Sequence, residues 1–294
     1  MQTKLFPSIW LGQFDSFTTW QSRSQEFNAL NGVIDAIDDQ LIHSRHPFSV
    51  KAWCTVCSSE QMMTVFWKYG GISETGSINP PWTEISLCSS CGFNSRMRAL
   101  YTLLTDEFQV PPTAKIYLSE QITGGYQVYK SRFPNLIGSE YLGSEQTPGQ
   151  ESLYNGALVR HEDHTRLSFA SASFDYVITQ DVFEHIADYK TAFFESRRVL
   201  NSNGCLAFTI PFFPGQFETE VRVRVLPDGN LEHILPPEHH GNPLGGGSLC
   251  FQHFGWDMLD QLRAAGFSQA TAHLYWGPWQ GHFGLPFFVF SARV

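Results

Sequence analysis

The sequence predicts an α/β protein, a parallel sheet covered by helices, with a small cysteine-bearing module ahead of it. Two observations carry that expectation. From Lys115 onward, short apolar runs alternate with helix-patterned segments, as strands and crossover helices do. Before that point, two Cys-x-x-Cys pairs stand at Cys54/Cys57 and Cys88/Cys91. A chain of 294 residues accommodates one large domain and one small one. The expected division is an N-terminal region over 1–110 and the α/β domain over 111–294.

Composition narrows the function. Hydrophobic residues make up 42% of the chain and Phe occurs 25 times, ample for a core. Charged residues are only 16%, against roughly 25% in ordinary soluble domains. A net charge of −9 argues against a nucleic-acid surface, which needs clustered Lys and Arg. No apolar run reaches the roughly 18 residues of a membrane span. The stretch Met1–Pro7 lacks the apolar core of a secretory signal. These features point to the cytoplasm, where thiols stay reduced.

The N-terminal region opens with Trp10, Phe14, Phe17, Trp20 and Phe27, which can pack one face, and a helix is expected within 24–42. The two cysteine pairs supply the four thiolates that tetrahedral Zn²⁺ prefers. A disulfide pair or free buried thiols are the alternatives, and a reducing compartment favours metal. Four sulfurs leave no open coordination position, so a zinc held by Cys54, Cys57, Cys88 and Cys91 would be structural. The segment between the pairs is longer than a usual zinc ribbon, and Tyr69 to Pro81 reads as loop. A helix from Arg96 to Phe108 should follow, stopped by Pro111-Pro112. Cys205 and Cys250, far apart in sequence, read as small buried hydrophobes.

In the α/β region, Ile116-Tyr117-Leu118 is the first strand candidate, and a helix from Thr123 to Phe133 stops at Pro134. Leu136–Ser139, Leu158-Val159 and Tyr176–Thr179 are the next strands. Residues 189–200 place Tyr189, Ala192, Phe193, Ser196, Val199 and Leu200 on one helical face. Asn203-Gly204 is expected to end that helix, with Gly204 in the left-handed position. Leu206–Ile210 is the fifth strand. A helix from Trp256 to Ala265 is capped by Gly266, and late strands at about 269–276 and 286–292 flank a short return.

Ligands of open α/β sheets sit at the carboxyl ends of the strands. Three acids fall there: Glu120, Glu140 and Asp163. An acid about 20 residues past the first strand–turn grips ribose hydroxyls in dinucleotide folds. Asp163 suits an amine donor such as adenine N6.

The stretch from Leu167 to Ile178, with Ser173-Phe174-Asp175-Tyr176-Val177 at its centre, resembles class I S-adenosylmethionine-dependent methyltransferases. Asp181-Val182-Phe183-Glu184-His185-Ile186 is similar to their post-strand-four loop. Arg197-Arg198-Val199-Leu200 with Asn203-Gly204 is similar to their following helix end. The resemblance is specific over 167–210 and looser over 115–294. It implies a Rossmann-like seven-stranded sheet with an antiparallel last strand, and S-adenosylmethionine as cofactor. It implies Glu140 and neighbouring Tyr141 at the ribose, Asp163 and His164 at adenine, and Gln180 and Asp181 near the methionine moiety. The family's acid-x-Gly-x-Gly-x-Gly loop is eroded here. In Glu120-Gln121-Ile122-Thr123-Gly124-Gly125-Tyr126, only Gly124 holds a glycine position, Gly125 falls between, and Ile122 and Tyr126 replace the others. Glu120 and Thr123 remain candidates for holding the cofactor's amino group and shaping the loop.

Residues 215–254 interrupt the link between the fifth strand and the next helix, the place for a lid. Glu220–Val225 with Asp228-Gly229 reads as a hairpin. His233, His239 and His240 in the lid, and His185 after strand four, are the candidate bases. A second, His-rich metal site including Glu238 is the other use for these side chains. The expected activity is methyl transfer to a small molecule, a sugar or a natural-product intermediate. The cysteine module resembles those preceding some deoxysugar C-methyltransferases, whose long C-terminal extension is lacking, and some rRNA methyltransferases, which the acidic charge disfavours. The rival reading, from the eroded glycine loop, is a non-catalytic scaffold or binding protein.

Overall fold

A computed structural model describes residues 10–42, 46–67, 71–72, 78–79 and 82–294. The expectations for Met1–Pro7 and for most of the Tyr69–Pro81 loop lie outside the described residues. Two compact units emerge. One takes in the described residues up to Phe14, then Thr18–Val110 and Ala272–Val289; the other takes in Asp15–Phe17, Pro111–Thr271 and Phe290–Val294.

The main sheet has seven strands in the order Trp10–Phe14, Gln269–Gly277, His282–Arg293, Leu200–Thr209, Phe174–Gln180, Ile116–Leu118, Ile137–Gly138. Phe174–Gln180 pairs in parallel with both Ile116–Leu118 and Leu200–Thr209, and Ile116–Leu118 pairs in parallel with Ile137–Gly138. His282–Arg293 runs antiparallel to Leu200–Thr209. Ile116, Tyr117, Leu118, Val177, Ile178, Leu206, Ala207 and Phe208 are all buried. Such unbroken apolar runs belong to parallel strands covered on both faces.

Helices fall where the pattern places them. Thr123 caps the helix Gly124–Arg132, its hydroxyl accepting from the Tyr126 N–H. Asp188 caps Tyr189–Val199 by accepting from the Thr191 N–H. That helix buries Tyr189, Ala192, Phe193, Ser196 and Val199, the predicted face. Its end differs from the expectation. The helix stops at Val199, because Leu200 is already extended and pairs with Phe174 in the sheet. Gly204 therefore lies inside a strand and not at a left-handed cap. Gly266, after the helix Asp257–Ala264, does take the left-handed conformation, at φ +99°.

The expected third strand is also different. Ala157–Arg160 forms a hairpin with Glu151–Tyr154, apart from the main sheet, and only a single parallel bridge joins the neighbouring His161 to Glu140. The cause is the Asn155-Gly156 turn, with φ of 47° and 82°. Two consecutive positive φ values make the tight turn that favours a two-stranded return. The seventh place in the sheet is filled by Trp10–Phe14, antiparallel to Gln269–Gly277. The predicted 220–225 hairpin is divided at Arg222. Val223–Val225 pairs with Leu231–His233, whereas Glu220–Val221 pairs with Gln252–His253.

In the first unit, Phe17–Phe27 and Asn31–Leu41 are helices joined by a 3₁₀ turn. Phe14, Trp20 and Phe27 pack together, Trp20 and Phe27 stacked at 5.8 Å between ring centroids. Phe17, in the second unit, lies instead against Phe217 and Trp256. The cysteine pairs sit on a three-stranded antiparallel sheet, Phe48–Cys54, Ser59–Val65 and Ser86–Cys88. The helix expected over Arg96–Phe108 is α-helical over Ser95–Thr102 and widens to a π-helix over Leu103–Glu107.

Arg98 organises this unit. Its side chain is fully buried, and its Nη1 donates to the carbonyls of Ser86 and Phe93, each at 2.8 Å. Its Nη2 donates to the Gly281 carbonyl at 2.8 Å and to Ser95 Oγ at 3.3 Å. Gly281 has φ +74°, and a Cβ there would stand 2.7 Å from Met63 Cγ, so only glycine brings this carbonyl to the guanidinium. Among the described residues, no helix is long and apolar enough to cross a membrane.

Replacing Arg98 by Met removes four donor contacts and leaves three buried carbonyls short of a partner. We expect a loss of about 3 kcal/mol in stability, read from urea unfolding followed by tryptophan fluorescence. A change under about 0.5 kcal/mol, the ordinary surface value, would contradict this role.

Candidate functional site

The acids named from the strand ends converge at one edge of the parallel sheet. Glu140 Oε1 accepts from the backbone N–H groups of Gln121 and Ile122, at 2.7 and 3.0 Å. The acid after the second strand thus holds the loop after the first. Gln121 also donates from Nε2 to the Leu158 carbonyl and accepts from the Arg160 N–H, tying the same loop to the Ala157–Arg160 hairpin. Glu140 Oε2 has no hydrogen bond among the described residues. Burial raises the Glu140 carboxyl above its usual range, and the two N–H donors oppose that rise.

Glu120 accepts from Thr123 Oγ1 at 2.8 Å and from Gln180 Nε2. Burial pushes its carboxyl up to about 7. The Oε1 atom of Gln180 is buried without a partner. Asp181, next in the chain, is held at φ 53°, a strained setting for a non-glycine residue at a ligand-facing strand end. Asp163 closes a small turn, accepting from the Thr165 N–H and hydroxyl and pairing with Arg166 at 3.1 Å. His164 is buried beside Tyr117 and Phe183, with neither ring nitrogen hydrogen-bonded; burial lowers it to about 4, so it stays neutral. Tyr141 is exposed and lies against the His161 ring.

The eroded glycine loop has a steric explanation. Gly124 has open space around its Cβ position and neither Gly124 nor Gly125 adopts positive φ, so the loop does not use their conformational freedom. The need for a small residue falls on Gly138 in the second strand. A Cβ there would come within 2.5 Å of the Tyr126 ring and 3.0 Å of the Glu120 carbonyl. Tyr126 occupies a family glycine position, and its ring fills the space that Gly138 leaves.

The 215–254 segment brings one of its candidate histidines, His240, against His185. His185 and His240 meet edge to face with ring centroids 5.0 Å apart, around the carboxylate of Glu184. Glu184 is fully buried, and sequence reasoning left it out of the site even though it stands within the Phe183-Glu184-His185 run. The carboxylates of Glu184, 3.6 Å from Nδ1, and of Glu238, hydrogen-bonded to Nε2, push His240 up to about 9, against burial. Glu238 is in turn held by His253 at 3.1 Å and Arg222 at 3.2 Å. His239 pairs with Leu249 and is exposed; His233 ends an exposed hairpin strand. Neither joins the cluster. The Phe251 N–H donates to the Glu184 carbonyl at 2.8 Å, and Gln252 Nε2 donates to the carbonyls of Phe183 and Ile186. These bonds fasten the 215–254 segment to the loop after strand four.

In the first unit the four cysteine sulfurs lie within 4.8 Å of one another. Cys54 and Cys91 sulfurs are 3.8 Å apart, as are those of Cys57 and Cys88. That is far beyond the ~2.05 Å of a disulfide. It equals the edge of a tetrahedron of about 3.8 Å that follows from metal–sulfur bonds of about 2.3 Å. Cys205 and Cys250 are buried singly, as expected.

Residues 137–208 match the methyltransferase domain family. No curated protein sequence matches the chain. Among solved structures, the chain is similar to the 1,6-didemethyltoxoflavin-N1-methyltransferase of Burkholderia thailandensis, at 15% identity over 68% of this chain and 78% of that one, with a TM-score of 0.40. It is similar to an S-adenosylmethionine-dependent methyltransferase of Mesorhizobium loti, at 13% identity over 66% and 97%, with a TM-score of 0.39. A methyltransferase of Listeria monocytogenes shows 12% identity over 66% and 98%, also with a TM-score of 0.39. The segment that matches the methyltransferase domain holds the second strand, Glu140, Asp163 and the loop after strand four.

Proposed function

We propose that the protein transfers a methyl group from S-adenosylmethionine to a small-molecule acceptor, a sugar or natural-product intermediate, held between the sheet edge and the 215–254 lid. The observation that carries this reading is the pair of side chains with buried, unpartnered polar atoms at the strand ends, Gln180 through Oε1 and His164 through both ring nitrogens. Such buried orphans fit a polar ligand. In this reading Glu140 Oε2, which makes no hydrogen bond among the described residues, accepts from a ribose hydroxyl, and Asp163 accepts from an adenine amine. Glu120, fixed by Thr123 and Gln180, would take the cofactor's ammonium group. The bound cofactor supplies an electrophilic methyl on a sulfonium. The residues around it act by positioning, and His185 and His240 lie on the lid side, where an acceptor's oxygen or nitrogen would be handled. An acidic chain with an aromatic-rich core favours a neutral or cationic acceptor over a polyanion.

We further propose that Cys54, Cys57, Cys88 and Cys91 hold a structural Zn²⁺. The equal 3.8 Å sulfur separations support it. Arg98 supports it too, since a buried guanidinium offsets part of the net negative charge of a four-thiolate zinc centre. Titrating four thiols with a mercurial should release one zinc per chain; release of none would refute the assignment.

Calorimetry with S-adenosylmethionine tests the cofactor site. Glu140→Gln can keep the bonds to the Gln121 and Ile122 N–H groups but loses the second acceptor, so affinity should fall about tenfold or more. If the unaltered protein fails to bind at millimolar cofactor, a scaffold or binding role replaces the enzymatic one.

Glu120 adds a pH signature. Its carboxyl titrates at about 7, above the usual carboxylate value, so the folded protein holds a proton there that the unfolded chain has lost. Its contribution to stability therefore declines as pH rises from the unfolded value through about 7. A cationic ligand group draws the charged form, so cofactor binding below pH 7 should release a proton and tighten as pH rises. Calorimetry in two buffers of different ionisation enthalpy measures that release, and Glu120→Gln should abolish it.

A further inference from the structure

Glu184 is a buried carboxylate whose two oxygens have no hydrogen-bond partner among the described residues. A carboxylate removed from water needs a compensating cation or donors. Two imidazoles face it. His185 Nε2 and His240 Nδ1 each stand 3.6 Å from Glu184 Oε1, too far for hydrogen bonds. The three ligand atoms lie within 4.8 Å of one another. Donors that share one metal at about 2.0–2.2 Å stand roughly 3 to 3.6 Å apart, and both separations from Glu184 Oε1 fall at the upper end of that range.

The outer nitrogens of both rings are already committed. His185 Nδ1 lies 2.8 Å from the Leu249 carbonyl, which can only accept, so this nitrogen carries the proton and Nε2 presents its lone pair to Glu184. His240 Nε2 lies 2.8 Å from Glu238 Oε1 and donates to it, so Nδ1 is the nitrogen that faces Glu184, and a cation bound there would displace its proton. Glu238 is itself fixed by His253 and Arg222. A carbonyl behind one histidine and a carboxylate behind the other is the outer-shell pattern that orients metal-binding imidazoles. The nearby Cys250 thiol is directed to the Gln252 carbonyl at 3.4 Å and takes no part.

We propose that Glu184, His185 and His240 bind one divalent cation of the Zn²⁺ or Mn²⁺ kind through a carboxylate oxygen and two imidazole nitrogens. A His₂-carboxylate set leaves coordination positions open. Resting on the reading of the lid edge as the acceptor side, the open positions take an oxygen of the methyl acceptor, so the substrate class is a hydroxylated or carboxylated small molecule. The cation also joins the lid, through His240, to the loop after strand four.

The test is a titration of the full-length, zinc-replete protein with Mn²⁺, followed by electron paramagnetic resonance. Mn²⁺ prefers oxygen and nitrogen donors and does not compete for four thiolates. One Mn²⁺ should bind per chain, with Zn²⁺ displacing it. Glu184→Gln, isosteric in its buried setting, and His240→Ala, on the half-buried lid, should each weaken binding at least about tenfold. Glu238→Gln, which touches no ligand position, should weaken it by about 10- to 100-fold through the orientation of His240. Cofactor affinity is measured alongside by calorimetry. A protein that binds S-adenosylmethionine but neither Mn²⁺ nor added Zn²⁺ at millimolar concentration overturns the cation site and leaves the methyl-transfer reading intact. Cation binding without cofactor binding upholds the site and overturns the methyl-transfer reading. Unchanged Mn²⁺ affinity in both Glu184→Gln and His240→Ala places the ion elsewhere and overturns the assignment.

Discussion

The hydrogen bonds from the Gln121 and Ile122 N–H groups to Glu140 are the interaction on which the loops at the strand ends depend. Parallel strands deliver their carboxyl ends to one edge, but they do not fix the loops that leave it. One carboxylate oxygen of Glu140 secures the loop after the first strand, and the other stays available to a ligand. This tie substitutes for the glycine-rich turn that usually shapes such a loop. With the turn held from outside, Tyr126 is tolerated where a glycine is usual, and the small residue moves to Gly138 beneath its ring. Erosion of the glycine motif is therefore a redistribution of space between loop and strand.

The same economy appears on the lid side. Residues 215–254 would be a long excursion if they were not stitched down. Three short strand pairs order them, and Phe251 and Gln252 fasten them to the backbone around Glu184. The outcome is a buried carboxylate between two oriented imidazoles, supported from behind by Glu238, Arg222 and His253. The dense polar shell contrasts with the bare carboxylate at its centre, and that contrast gives the cluster its chemical meaning.

Much of this was legible in the chain. The alternation of strand and helix after Lys115, the apolar face of residues 189–200, and the acids Glu120, Glu140 and Asp163 are local patterns with local causes. The paired cysteines are equally plain, because their spacing states their chemistry. The Asn155-Gly156 turn was not read from the sequence, and it explains why Ala157–Arg160, expected as a strand of the main sheet, leaves it. The end of the Tyr189–Val199 helix was not readable in this way. Asn203-Gly204 looks like a stop, yet pairing of Leu200 with Phe174 ends the helix first. Long-range pairing outweighed a local preference.

The sequence by itself determined the fold class, the order of the elements, the residues at the strand ends and the four thiols that gather. Each follows from periodicity, turn chemistry or ligand spacing within a short window. Only the tertiary structure decided that Trp10–Phe14 completes the sheet, that one oxygen of Glu140 is spent on the loop, and that His185 and His240 meet around Glu184 while His233 and His239 remain apart. The physical reason is that these relations depend on side-chain direction and on desolvation by distant segments. A carboxylate's burial, and the nitrogen a histidine turns toward it, come into being only when residues 215–254 pack over the loop after strand four.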